Sequence, residues 1–258
     1  MSVYICMHRF FIMILRFFYW IYMFLVAIPL FLVATLLAAL FTVGGCLLGF
    51  ERTFSYYPGM LWSRLTCFLS LCPVSVRGLE HIKKGESYVF VSNHQGAFDI
   101  FLIYGRLGVP FKWVMKSGIQ RIPFVGRACS SAGFVFVDSR TAKSALKSVQ
   151  ESEACIKRGF SVVIFPEASR TYDGKMIRFK KGAFQIAVDS GVKVVPITLN
   201  GPYDVLPIGS LNVRPHRMEM VVHPPISVDS IENNPKNLQA LADQTQQCVA
   251  TALWECYK

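Results

Sequence analysis

Residues 88–100 read YVFVSNHQGAFDI, an apolar run followed by a polar turn and the start of a second apolar stretch. Valine and aromatic residues bounded by turn formers are typical of a buried strand, and Gly96 lets the chain turn. The turn places His94 close to Asp99 in the sequence. This pair is consistent with a general base and its orienting carboxylate, and equally with a turn histidine and a helix-capping aspartate.

Short apolar runs rich in Val, Ile and Phe recur after this stretch and are predicted to be strands. They are residues 88–92, 112–115, 133–137, 161–165, 192–199 and 218–223. Amphipathic segments between them, residues 141–158 and 181–189, are predicted to be helices that end at glycines. Strands that alternate with helices indicate an α/β fold, with a mostly parallel central sheet flanked by helices.

Polar clusters follow several of the predicted strands, at residues 93–99, 138–140 and 165–170. In a parallel sheet the carboxyl ends of the strands meet at one edge, where ligand sites form. We therefore expect these clusters to share one site.

The last of these clusters reads FPEASR and contains Glu167 and Arg170. A guanidinium pairs with phosphate through two parallel hydrogen bonds, so Arg170 is a candidate phosphate ligand. The alternative is a surface ion pair between Arg170 and Glu167. Lys116 and Arg140 follow other predicted strands and are further candidates for binding an anion at the same edge.

Residues 17–50 contain no charged side chain, and this run exceeds the ~20 apolar residues that cross a bilayer as one helix. It is too long and too aromatic for a cleaved signal peptide. Pro29 and the pair Gly44 and Gly45 are possible break points, so one tilted span and a helical hairpin both remain open. Residues 1–72 are predicted to be a membrane-associated helical segment with its connector, and residues 73–258 to form the domain that holds the site.

The net charge is +11, and only Arg9 and Arg16 among the basic residues lie in the first fifty positions. A basic side chain near an anionic bilayer is attracted by ~1 kcal/mol, so the expected partners are an anionic bilayer surface and acidic substrates. No arginine-rich arm or aromatic RNA-binding signature is present, so nucleic acid is not expected. The eight cysteines form no C-x-x-C pair and are expected to be reduced thiols.

Four blocks in order resemble the glycerolipid acyltransferases of the 1-acyl-sn-glycerol-3-phosphate acyltransferase type. The stretch from His94 to Asp99 is similar to the His-x4-Asp motif of that family. Residues 133–140, 165–170 and 194–198 are similar to its second, third and fourth blocks. The third block of the family usually has Gly where this chain has Ala168, and this departure bears on the identity of the acceptor.

The resemblance implies that His94 is the general base and Asp99 its partner. It implies that the glycerol phosphate of the acceptor is bound by Glu167 and Arg170, with further contributions from Lys116, Arg140, Ser169 and Pro196. The implied protein is a membrane-bound enzyme with its catalytic domain, residues 73–258, on the cytoplasmic side. It would move a fatty acyl group from acyl-CoA or acyl-carrier protein to lysophosphatidic acid, giving phosphatidic acid, with no cofactor and no metal.

Other functions remain open at this point. The same chemistry could act on another lysophospholipid or on a lyso-ornithine lipid. A hydrolase of lipid esters or phosphates is a more distant alternative, because the chain has no Gly-x-Ser-x-Gly motif and its other histidines are isolated. A protein without catalytic activity that binds anionic lipid through its basic surface is a third possibility.

Overall fold

The computed structural model describes residues 13–138 and 141–258, apart from the side chain of Ala142. Within these residues, seven strands form one sheet with the order β1-β7-β6-β2-β5-β3-β4. The strands are β1 (Val74–Arg77), β2 (Val89–Ser92), β3 (Phe111–Lys116), β4 (Val135–Val137), β5 (Ser161–Ile164), β6 (Val194–Asn200) and β7 (Met218–Val222). All neighbouring pairs are parallel except β6 and β7. The predicted α/β class with a mostly parallel sheet is confirmed.

The central strands are buried on both faces, as expected for a sheet covered by helices on each side. Along β2, Val89 and Val91 face one hydrophobic core, while Phe90 between them faces the other. β1 is not among the strands predicted from the sequence, because its four residues alternate between half-buried and exposed positions and form no apolar run.

The N-terminal part of the chain is an antiparallel pair of helical arms. α1 (Met13–Leu47) is long and apolar enough to cross a membrane, judged by length and composition alone. α2 (Glu51–Phe54) and α3 (Tyr57–Leu69) turn back along it. Trp62 of α3 donates a hydrogen bond from Nε1 to Thr35 Oγ1 at 2.8 Å, and Tyr22 donates to the carbonyl of Leu69 at 3.1 Å.

The candidate break points of the apolar run behave differently. α1 continues through Pro29. A proline has no N–H to donate to the preceding turn of a helix, and in α1 that preceding turn is a wider π turn at Met23–Ala27, which accommodates the proline. The helix ends soon after Gly44 and Gly45. A Cβ on Gly45 would lie 2.0 Å from the ring of Phe54, so glycine allows α2 to pack closely against the end of α1.

The remaining helices cover the sheet. They are α4 (Phe98–Arg106), α5 (Val125–Ser131), α6 (Ala142–Lys157), α7 (Gly182–Ser190), α8 (Pro202–Val205) and α9 (Pro235–Thr251). Thr141 caps α6 by accepting a hydrogen bond from Ser144 N, and α7 ends at Gly191 in the left-handed conformation, which supports both helices predicted from the sequence. α9 is not predicted, because its polar residues obscure the apolar stripe that packs on the sheet.

A buried ion pair joins the helical arms to the sheet. Lys112 at the start of β3 is fully buried, and its Nζ donates to Glu51 Oε1 at 2.7 Å and to the carbonyl of Ala132 at 2.6 Å. Arg158 binds the second oxygen of Glu51 at 3.0 Å. Burial lowers the pKa of Lys112. This network holds the arms against the core, and the domain boundary at residues 72–73 stays a prediction.

Candidate active site

His94 and Asp99 form a hydrogen-bonded pair at the carboxyl end of β2. The Nδ1 atom of His94 lies 2.6 Å from Asp99 Oδ2, and the same oxygen accepts the backbone N–H of Gly96 at 2.8 Å. Asp99 is fully buried, whereas 17% of the His94 side chain is exposed. A carboxylate that accepts the Nδ1 proton leaves Nε2 as a hydrogen-bond acceptor. The pair can therefore take a proton from a bound hydroxyl.

Two neighbours that sequence reasoning misses hold this loop in place. The ring of Phe165 stacks on the His94 imidazole with centroids 4.0 Å apart and planes at 12°. The side-chain amide of Asn93 donates to the carbonyl of Leu199 and accepts from its N–H, at 2.9 and 2.8 Å. Asn93 thus continues the pairing of β2 with β6 past the end of the strand. The Asn that follows the apolar run and precedes the histidine is the sequence signal that could have indicated this contact.

Glu167 is turned inward, toward the backbone of the His94 loop. Its Oε1 accepts the N–H of His94 at 2.8 Å, and its Oε2 accepts the N–H of Ile177 at 2.7 Å. Burial raises the pKa of this carboxyl to about 8. The side chain is 2% exposed and is not part of the cavity wall described below. This geometry favours a structural role for Glu167, joining two backbone segments, over the substrate contact expected of it. The alternative surface ion pair between Glu167 and Arg170 does not form.

Ala168 adopts a backbone conformation that favours glycine, with φ at +61°. It closes the turn that aims Glu167 inward, where its N–H donates to the carbonyl of Phe165 at 3.1 Å. A residue with a Cβ in the left-handed region is strained by roughly 1–2 kcal/mol. The departure from the family pattern therefore falls at a position where a glycine would fit better.

We expect Ala168→Gly to raise the free energy of unfolding by about 0.5–1 kcal/mol, since the relief of strain exceeds the added flexibility of the unfolded chain. Chemical denaturation would measure it. Ala154→Gly, at an exposed position inside α6, is the matched control and should lower the same free energy by about 1 kcal/mol. Equal losses in both variants would contradict the strain at Ala168.

A cavity of about 840 Å³ opens beside His94 at the carboxyl edge of the sheet. Among the residues that the structure describes, the wall of the cavity includes the cations Lys116, Arg170 and Lys180, together with Ser169. This part of the wall contains no Asp or Glu. The rest of the wall is mostly apolar and comes from both sides of β3 and β5. It includes Ile100, Trp113 and Met115 on one side, and Val114, Val149, Ile164 and Ile186 on the other.

The structure thus brings together five of the residues predicted from the sequence: His94 with Asp99 behind it, and Lys116, Ser169 and Arg170 in the cavity wall. Pro196 does not line the cavity; it lies inside the sheet, opposite Val91 of β2. Arg140 lies outside the described residues. Lys180, one of the basic residues that follow the FPEASR cluster, also lines the cavity but is not among the predicted site residues. Its backbone N–H donates to the carbonyl of Pro166 at 3.0 Å.

Comparison with known proteins agrees with this arrangement. A sequence model of the family described as Acyltransferase matches residues 73–200, which include β1 to β6 and every residue of the site described above. The chain belongs to this acyltransferase family.

Curated relatives carry one common name. The chain is 35% identical over 179 residues to the 1-acyl-sn-glycerol-3-phosphate acyltransferase LPAT1, chloroplastic, of Arabidopsis thaliana, which covers 69% of this chain and 50% of the relative. It is 30% identical over 183 residues to the 1-acyl-sn-glycerol-3-phosphate acyltransferase alpha of Ovis aries, covering 70% and 63%. The chain therefore spans about half the length of the plant protein.

A solved structure shares the fold. The crystal structure of the 1-acyl-sn-glycerophosphate (LPA) acyltransferase PlsC from Thermotoga maritima matches with a TM-score of 0.67 and 24% identity, over 87% of this chain and 99% of that chain. At this identity the similarity concerns the fold alone. The match covers 87% of this chain, which is more than residues 73–258 alone could supply, so it includes part of the helical arms.

Proposed function

We propose that this protein transfers a fatty acyl group from an acyl thioester to the free hydroxyl of 1-acyl-sn-glycerol-3-phosphate, giving phosphatidic acid. The observation that supports this most strongly is the His94–Asp99 pair. It lies at a cavity whose wall, among the residues that the structure describes, carries Lys and Arg side chains and no Asp or Glu. The names of the relatives from Arabidopsis thaliana and Ovis aries point to the same reaction.

In the proposed reaction the Asp99 carboxylate holds the Nδ1 proton, and Nε2 of His94 accepts the proton of the acceptor hydroxyl. The hydroxyl oxygen attacks the thioester carbonyl, so a C–O bond forms and the C–S bond breaks. The imidazolium then returns its proton to the leaving thiolate. Protons balance over the cycle, and no covalent acyl-enzyme is needed.

The cations of the cavity suit the phosphate of the acceptor. Arg170 presents a planar fork of donors and forms no salt bridge in the part of the chain that the structure describes, so its guanidinium is available to pair with phosphate. Lys116 and Lys180 add positive charge on the same wall, and the Ser169 hydroxyl adds a donor. The apolar walls on the two sides of β3 and β5 suit hydrocarbon chains.

The donor is proposed to be acyl-CoA or acyl-carrier protein, and the protein is proposed to work at a membrane. α1 is the anchor in this proposal, because its outward side chains are apolar and largely exposed, among them Phe24 at 72% and Leu40 at 64%. Exposed apolar side chains over such a length are stable in contact with lipid. Both donors are cytoplasmic molecules, so we propose that the cavity faces the cytoplasm.

A panel of acceptors tests the proposal. Purified full-length protein in lipid vesicles would receive labelled acyl-CoA and either lysophosphatidic acid, a lysophospholipid without a terminal phosphate, or a lyso-ornithine lipid. We expect a clear preference for lysophosphatidic acid. Equal rates with all acceptors would refute the acceptor assignment, a preference for another lysolipid would favour the second candidate that Ala168 in the cavity wall keeps open, and release of free fatty acid would indicate a hydrolase.

Arg170→Ala is expected to raise the KM for lysophosphatidic acid about 10²-fold, because a charge-assisted pair with phosphate is lost. Initial rates over a range of acceptor concentrations would measure this change. Lys175→Ala is the matched control, since Lys175 is exposed on the same loop and does not line the cavity. A similar KM in both variants would remove Arg170 from the phosphate site.

A further inference from the structure

The segment between α8 and β7, residues 206–217, exposes an unusually large apolar side chain. Leu211 is 94% exposed, more than any other exposed large hydrophobic residue that the structure describes. The segment reads LPIGSLNVRPHR and contains no acidic residue. A single exposed leucine is common on protein surfaces. Whether Leu211 indicates a binding surface therefore depends on where this segment lies in the fold.

The segment rests against the N-terminal half of α1. Val213 packs on the hydrophobic cluster that Met23 and Ala27 of α1 form with Leu69 of α3. The N–H of Arg214 donates to the carbonyl of Val205 at 2.9 Å, which fixes the far end of the segment beside α8. Leu211 therefore projects from a loop that packs against α1 through Val213.

The same segment borders the His94 loop. It follows β6 and α8, so it lies at the edge of the sheet where β2 ends and the cavity opens. A Cβ on Gly96 would lie 3.0 Å from the carbonyl oxygen of Pro202 and 3.1 Å from that of Leu206. Gly96 thus allows the catalytic turn to pack against the start of the segment.

Positive charge follows the exposed leucine in the segment. Arg214 and Arg217 are exposed, and neither forms a salt bridge with a residue that the structure describes. The guanidinium of Arg217 lies 4.6 Å from the ring centroid of Trp254, which holds it at the surface. An exposed apolar side chain followed by two cations without a salt bridge fits the interface of an anionic bilayer, where tails and phosphates lie close together.

We propose that residues 206–217 are a second membrane contact, in which Leu211 enters the bilayer interface and Arg214 and Arg217 bind lipid phosphates. This contact rests on the proposed membrane attachment of α1. Together, the helix and the loop would hold the mouth of the His94 cavity at the lipid surface, where a lipid acceptor can enter without crossing water.

Quenching by nitroxide-labelled lipid tests the contact without reference to activity. The full chain carrying serine in place of Cys6, Cys46, Cys129, Cys248 and Cys256 keeps only its buried thiols among the described cysteines. It would receive one cysteine at Leu211, Phe24 or Leu79, each labelled with the same fluorophore and reconstituted into vesicles containing phosphatidylglycerol. Phe24 reports α1, and Leu79, 38% exposed, lies at the opposite edge of the sheet. We expect strong quenching at positions 24 and 211 and little at position 79.

Quenching at position 24 with no more at 211 than at 79 would overturn the proposed contact. No quenching at position 24 would overturn the membrane attachment and the contact together, whatever the activity of the protein. Because the acceptor panel is scored separately, failure of the contact and failure of the proposed reaction are distinguishable.

Kinetics provide a second test. Leu211→Asp is expected to raise the apparent KM for an acceptor embedded in vesicles roughly tenfold, while kcat and the rate with a short-chain acceptor dissolved as monomers stay unchanged. Leu79→Asp is the control and should change neither. An equal loss with both forms of the acceptor, or no loss with either, would overturn the role of Leu211.

Discussion

His94→Ala is expected to lower kcat for acyl transfer by about 10³-fold or more, in the upper part of the roughly 10²–10⁴-fold range that a positioned general base contributes. The physical reason is that Nε2 is the ring nitrogen left free by the Asp99 bond, and the cavity lining offers no Asp or Glu that could accept the proton instead. Single-turnover measurements with labelled acyl-CoA would separate this loss from any change in binding.

A second variant separates chemistry from folding. The alanine variant also removes the stacking of His94 on Phe165, so a loss of activity could reflect a displaced loop. His94→Phe keeps an aromatic ring for this contact and removes both nitrogens, and we expect it to be as inactive as the alanine variant while melting close to the wild type. His81→Ala, at the other edge of the sheet, is the matched control. Substantial turnover in His94→Phe would refute the general-base assignment.

The sequence allowed the fold class and the central pair to be predicted because both depend on local pattern. The turn from His94 to Asp99 follows an apolar strand and opens a helix, but Asp99 does not cap that helix, which begins after Ala97 without a side-chain cap. A single carboxylate oxygen accepts from the backbone N–H of Gly96 and from the imidazole of His94. The hydrogen bond from Gly96, in the turn before the helix, helps to point the carboxylate at the ring.

Features that depend on distant contacts could not be predicted. Nothing local distinguishes Glu167, which faces the interior, from Arg170, which faces the cavity, because the direction of each side chain is set by the left-handed turn at Ala168. Lys112 looks like a solvated charge until Glu51, 61 residues away, is brought to it. The proposed role of Leu211 likewise could not be predicted, because it depends on the packing of Val213 against α1.

Asp99→Asn is expected to lower kcat roughly 10²-fold, a smaller loss than that of the His94 variants. The Oδ2 atom of Asp99 accepts two hydrogen bonds, from Gly96 N and His94 Nδ1, so the asparagine should place its carbonyl oxygen there and keep the ring in position. Its NH₂ group then takes the place of Oδ1, which is buried without a partner among the described residues. Geometry is retained, and the negative charge that stabilises the imidazolium is lost. The KM for the acceptor should stay unchanged.

The double variant His94→Ala with Asp99→Asn decides whether Asp99 acts through His94. If the carboxylate only orients the ring and stabilises its charged form, removing the charge costs nothing further once the ring is gone, and the double variant should match His94→Ala. If Asp99 contacts the substrate or shapes the cavity independently, the two losses multiply, which amounts to a further fall of about 10²-fold. Additive free energies in this cycle would contradict the positioning role of Asp99, even if each single variant behaved as expected.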